Sequence, residues 1–192
     1  MLHSSDLSKF VQAALQELRL GAMWVLALAT GMRPEEHLGL FWSDFSLDYR
    51  KVTVNRALVR FVRKVEGLPK WRFEPPKTDK SRRTLALEPE MAELLRQHRD
   101  QQNLEKEYAG SAYDDLGLVF ANELGGPLYL DNLRARNFKR VLLRAGLPTN
   151  LTVYSLRHSA ASALLIDIAQ RWLVGCPRVT NMSSKSQPSG RT

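Results

Sequence analysis

The sequence predicts an α+β domain, mostly helical, with a small antiparallel sheet of about three strands. Three observations predict it. Apolar residues recur at helical spacing through Ser4–Leu20, Ala22–Thr30, Glu90–Tyr108 and Leu130–Ala145. Between Lys51 and Phe73 the period switches to strict alternation, as a half-buried strand requires. A chain of 192 residues is long enough to bury one full core, and no apolar run in it is long enough to span a membrane.

The first helix, Ser4 to Leu20, can be capped by Ser5 or Asp6, and Leu7, Phe10, Val11, Ala14 and Leu18 form its apolar stripe. Ala22 to Thr30 is apolar almost all round and is expected at the centre. Gly31 ends it, and Pro34 suits the first position of a third, short helix reaching Leu40. After a turn over 42–48 come the alternating runs Lys51–Asn55, Ala57–Arg63 and Trp71–Phe73. Pro75-Pro76 breaks the pattern, and Lys77–Leu87 reads as a hairpin arm with a return strand. Glu90 to Tyr108 is a charged helix with Met91, Leu94 and Leu95 inward, and Leu116–Phe120 is expected as a short buried strand. The helix from Leu130 to Ala145 stops at Gly146 and Pro148. Leu151 to Leu165 reads as a short loop running into a buried helix, its packed face marked by Leu156, Ala160, Ala163 and Leu164. Residues 171–192 lack apolar periodicity and read as a disordered tail.

Net charge is +8, and it is blocked along the chain. Residues 50–83 carry +9 and 134–170 carry +5, while 1–49 and 84–133 are acidic at −3 and −7. Two separate basic elements suit a grip on one polyanion, and the alternative is solvated faces. The lone Cys176 excludes an intrachain disulfide framework and a cysteine-built metal site, and the four histidines show no metal-ligand spacing. No metal, cofactor or membrane partner is expected, and the expected compartment is a reducing cytoplasm. His37 and His98 are expected in solvent.

Two stretches place an arginine at a helix entry. In Thr30-Gly31-Met32-Arg33-Pro34-Glu35-Glu36 the arginine sits between two helices, and Glu36 lies one turn later, where it can hold it. In Tyr154-Ser155-Leu156-Arg157-His158 the arginine enters an apolar helix, where a guanidinium needs an anion or an internal carboxylate. Together these stretches resemble the tyrosine recombinases, the phage integrase family, whose usual forms are TGxRxxELLxLxWxD and HxLRHxxAxxL. The segment Lys77-Thr78-Asp79-Lys80-Ser81-Arg82-Arg83 resembles the same family's KTxxSxRxxxL strand pair. The resemblance runs over roughly residues 5 to 170, and residues 1–170 are expected to form the catalytic domain without its last helices.

The resemblance implies double-stranded DNA as partner, with further recombinase protomers bound beside it. It also implies a metal-free reaction in which a tyrosine hydroxyl attacks a DNA phosphate, becomes joined to the 3′ end and releases a 5′ hydroxyl. Charge building on the phosphoryl oxygens is then met by side chains, and Arg33 and Arg157 match that pair. Lys77 matches the general acid, with a plain phosphate contact as the alternative and Lys80 as competitor. Tyr154 stands where the family has histidine or lysine, and a phenol with a pKa of about 10 is a poor base. Glu36 is expected to orient Arg33, and His158 to pack or support rather than react. Lys80, Arg82, Arg83, Arg134, Lys139 and Arg140 are the expected DNA contacts. The family's LGHxxxxxT segment and the nucleophilic tyrosine after it have no counterpart beyond Gln170, and its N-terminal core-binding helical domain has none either. The expectation is therefore a truncated or frameshifted copy that binds DNA without cleaving it. The alternative is a non-catalytic module that occupies integrase sites or interferes with intact relatives.

Overall fold

The computed structural model describes residues 4–61, 70–75 and 82–160, with side chains from 5 through 157. Seven α-helices and two short antiparallel ladders are seen among them: α1 (Ser4–Leu15), α2 (Gly21–Thr30), α3 (Pro34–Leu38), β1 (Lys51–Val54), β2 (Ala57–Arg60), β3 (Trp71–Glu74), β4 (Arg83–Ala86), α4 (Pro89–Ala109), α5 (Leu130–Asn132), α6 (Lys139–Arg144) and α7 (Val153–Ala160). No helix among the described residues is long and apolar enough to cross a membrane.

The all-apolar helix α2 takes the central place, packed against α1, α3, α4 and α7. Trp24, Leu26 and Leu28 are buried on it, and the Trp24 ring meets Phe138 at 5.1 Å while Phe10 of α1 meets Phe138 at 5.9 Å. Helix α1 ends at Leu15, five residues short of the expected Leu20. The chain turns there, with Glu17 N–H on the Ala14 carbonyl and Gly21 N–H on the Glu17 carbonyl. Leu18, assigned to the apolar stripe, is therefore left in solvent.

The α+β class stands, but the sheet is two pairs of strands rather than one of about three. β1 pairs with β4, Lys51 opposite Ala86, and β2 pairs with β3, Ala57 opposite Glu74. Gly39 lets α3 close on β2, since a Cβ there would sit 3.0 Å from the Leu58 nitrogen. The run 116–120 forms only an isolated bridge, Leu118 to Phe41. Its backbone is divided between neighbours: Val119 N–H donates to the Leu40 carbonyl, while the Leu118 and Val119 carbonyls accept from Gln102 of α4.

Residues 130–144 are one continuous helical stretch whose middle, Leu133–Phe138, widens into a π-turn between α5 and α6. The sequence explains the wide turn. Leu133 and Phe138 are five apart, and a π-turn brings that spacing onto one buried face while Arg134 and Arg136 stay outside.

Candidate functional site

The α2–α3 elbow is built by its own residues. Gly31 adopts the left-handed conformation (φ 57°) that closes α2, its N–H on the Ala27 carbonyl at 3.1 Å. Arg33 follows as an extended residue, and Pro34, with no N–H to satisfy, starts α3. Arg33 is then fixed at three points. Its N–H donates to Glu36 Oε2 (2.8 Å), its carbonyl accepts from His37 Nδ1 (3.0 Å), and its Nη1 donates to Glu36 Oε1 (3.1 Å). The Glu36 side chain is 5% exposed and that of Arg33 is 52% exposed, so the anchor is buried and the fork presented.

Glu36 holds a second cation as well: Arg83, at the start of β4, donates to it through Nη2 (2.8 Å) and Nη1 (3.3 Å). Burial pushes the Glu36 carboxyl up, but the bonds from Arg83 and Arg33 and the charge of Arg83 outweigh it and leave the group below its ordinary value. His37 is buried rather than solvated, and burial lowers its pKa to about 4. It is therefore neutral, with its Nδ1 proton committed to the Arg33 carbonyl.

The other side of the elbow is covered by α7, entered through Thr152, whose N–H donates to Ser155 Oγ. Val153 and Leu156 turn inward onto the core and Arg157 points at the elbow. Its Nη1 donates to the Gly31 carbonyl at 2.6 Å. That carbonyl lies just past the end of α2, where the helix itself supplies no N–H to meet it. A neutral oxygen does not neutralise a guanidinium, and among the described residues no carboxylate lies within ion-pair distance of Arg157. One turn earlier, Tyr154 donates its hydroxyl to Glu35, to Oε1 at 3.0 Å and Oε2 at 3.2 Å. Burial, the bond to Glu35 and the Glu35 charge all raise the phenol pKa, against the opposing charges of Arg33 and Arg134.

The structure thus brings Arg33, Glu36, Tyr154 and Arg157 to one elbow. Arg134, Lys139 and Arg140 are exposed on the stretch beside it, where Arg134 and Lys139 line a groove of about 300 Å³ with Thr149, Asn150 and Thr152. Arg82 is exposed at the foot of β4, whereas Arg83 is drawn inward onto Glu36. Lys77 and Lys80 lie outside the described residues, as does the side chain of His158. Among the described residues no group of three or more His, Cys, Asp or Glu side chains could hold a metal ion. Sequence reasoning missed Glu35 and the inward turn of Arg83. Their contacts join positions 119 and 47 residues apart, which no local spacing reveals.

The sequence model of the phage integrase family matches residues 1–169. The chain belongs to the phage integrase family. It is 34% identical over 167 residues to a tyrosine recombinase XerC-like protein of Caldanaerobacter subterraneus subsp. tengcongensis, covering 84% of this chain and 42% of that protein. An integrase of Streptomyces ambofaciens is 36% identical over 158 residues, covering 79% and 38%. Among solved structures, the Tn1549 transposon integrase in complex with transposon right end DNA superposes with a TM-score of 0.65 at 18% identity, over 83% of this chain and 51% of that one. The XerH site-specific recombinase bound to palindromic difH substrate gives 0.55 at 23% identity, over 92% and 46%. The chain spans about half or less of the length of these relatives. Its described fold is that of a tyrosine recombinase catalytic domain.

Proposed function

We propose that the α2–α3 elbow is the phosphate seat of a DNA recombination and integration domain, formed by residues 1–170 with 171–192 as a divergent tail, and working on double-stranded DNA in the cytoplasm beside other recombinase protomers. The observation that carries this reading is the meeting of two cations with unequal support. Arg33 is anchored on a buried carboxylate but half exposed, and Arg157 reaches the same elbow with, among the described residues, nothing more than a carbonyl as partner. An anion placed between them would be met by two planar forks that stay charged at any working pH. In the family's chemistry those forks neutralise the phosphoryl oxygens, Lys77 protonates the leaving oxygen and Tyr154 takes the assisting position. Arg82, Arg134, Lys139 and Arg140 extend the grip along the backbone, with Lys80 as a further expected contact.

The finer part of the reading is that this 192-residue chain binds without cleaving. Its last tyrosine is Tyr154, one turn before Arg157 and hydrogen-bonded to Glu35. A phenol whose pKa is raised by burial and by a neighbouring carboxylate is a weak nucleophile. Such a chain would act as a DNA-binding remnant that occupies integrase sites or interferes with intact recombinases.

Fluorescence anisotropy with a labelled duplex tests the first part. If about four to six phosphates are neutralised, log K falls against log salt with a slope of about −0.9 per contact. Salt-independent binding, or none at low salt, overturns it. Incubation with nicked duplex followed by a denaturing gel tests the second part. No shifted protein–DNA band is expected, and a band that Tyr154→Phe abolishes would name Tyr154 as the nucleophile.

A further inference from the structure

In the reading above Glu35 serves only to weaken Tyr154 as a nucleophile, yet its carboxylate also takes up the one proton of that hydroxyl. It sits in the first turn of α3, two residues after Arg33, and receives the Tyr154 proton on both carboxylate oxygens. A phenol has one proton to give. While that proton lies on Glu35, Tyr154 turns only lone pairs toward any other acceptor, and lone pairs repel a phosphate oxygen. Arg33 and Arg134, two of the cations meant to receive a phosphate, lie close enough to Tyr154 to act on its hydroxyl by charge.

We infer that Glu35 is a positioning residue that keeps the Tyr154 hydroxyl off the phosphate seat, and that an incoming DNA phosphate must displace it before Tyr154 can donate. The inference rests on the elbow being a phosphate seat. Glu35 acts on the phosphate through Tyr154, so removing it gains most when the hydroxyl is there to be freed. Simple charge repulsion by Glu35 would predict a gain independent of Tyr154. A supporting role for Glu35 in aligning Tyr154 toward DNA would predict a loss.

The experiment compares the full chain with Glu35→Ala, Tyr154→Phe and the double variant. Affinity for a duplex oligonucleotide is measured by anisotropy at one low salt concentration, and the Cζ resonance of Tyr154 by carbon NMR without DNA. Freeing a hydroxyl for one charge-assisted hydrogen bond predicts that Glu35→Ala tightens binding about three- to ten-fold, with most of that gain lost in the Tyr154→Phe background. The Cζ resonance should move in Glu35→Ala, in a protein whose other tyrosine signals stay put. An equal gain in both backgrounds, a loss on Glu35→Ala, or an unmoved Cζ resonance each overturns the inference while leaving the phosphate seat standing. Duplex binding by the parent chain that Arg33→Ala and Arg157→Ala leave unchanged overturns the seat itself, and with it the role given to Glu35.

Discussion

His37 and His98 are both buried, both set a ring nitrogen on a backbone carbonyl, and both have their pKa lowered chiefly by burial. Their surroundings differ. His98 of α4 lies between Trp42 and Phe120, facing the Val119 carbonyl, in a seam completed by Gln102 and the Trp42 indole. The two charges that act on His98, Arg19 and Glu105, are paired with each other. His37 instead fixes the carbonyl of an arginine that is half exposed, opposite a second arginine whose partner among the described residues is a carbonyl. A perturbed histidine is therefore no mark of a site by itself. The mark is a cation whose anchor is buried and whose charge is not fully answered.

The largest expected effect sharpens this contrast through pH. His37 titrates at about 4 in the folded chain against an ordinary 6.5, so folding favours its neutral form. Its contribution is complete above pH 6.5 and is lost as pH falls through the window down to about 4. The upper bound is about 3 kcal/mol. Thermal melts across that window should show a steep loss for the parent chain and a shallower one for His37→Leu. His98→Leu should also flatten the curve, since its shift has the same sign. Only His37→Leu should weaken duplex binding as well, and an equal effect of both variants on DNA would break the comparison.

Next in size, Arg33→Ala and Arg157→Ala should each reduce duplex affinity by about ten-fold or more at low salt, as expected for charge-assisted bonds to phosphate. His98→Ala should leave affinity unchanged while lowering the melting temperature, because it opens the α4 seam and nothing at the elbow. Anisotropy and melting on the same samples check both halves.

The smallest effect concerns Arg83. Lysine cannot reproduce its two bonds to Glu36, so Arg83→Lys should cost about 1 kcal/mol of stability, read by denaturant titration. If Arg83 acts by holding Glu36, the salt slope of DNA binding stays as in the parent. If it contacts phosphate directly, the charge-removing Arg83→Gln, unlike Arg83→Lys, lowers the slope by about one contact.

Much of the elbow was legible in the sequence because its parts are local. Gly31, Arg33, Pro34 and Glu36 lie within one short stretch, and an acid three residues after an arginine on a helix start reads directly as its anchor. The helix α4 was legible by its stripe, but that stripe continues through His98 and Gln102, polar residues that a hydrophobic period counts as solvent. The early end of α1 and the failed strand at 116–120 depend on where neighbouring backbone groups find partners, which is a tertiary matter. The same holds for Glu35 with Tyr154 and Arg83 with Glu36, pairs made by the fold between distant segments.

The central claim is that Arg33 and Arg157 grip one phosphate. A crystal structure of the chain with a short duplex tests it most directly. The account predicts both guanidinium groups donating to oxygens of a single phosphate at the α2–α3 elbow, with Glu36 still holding Arg33 from beneath. Guanidinium groups on two different phosphates, or a duplex lying elsewhere with the elbow empty, would contradict it.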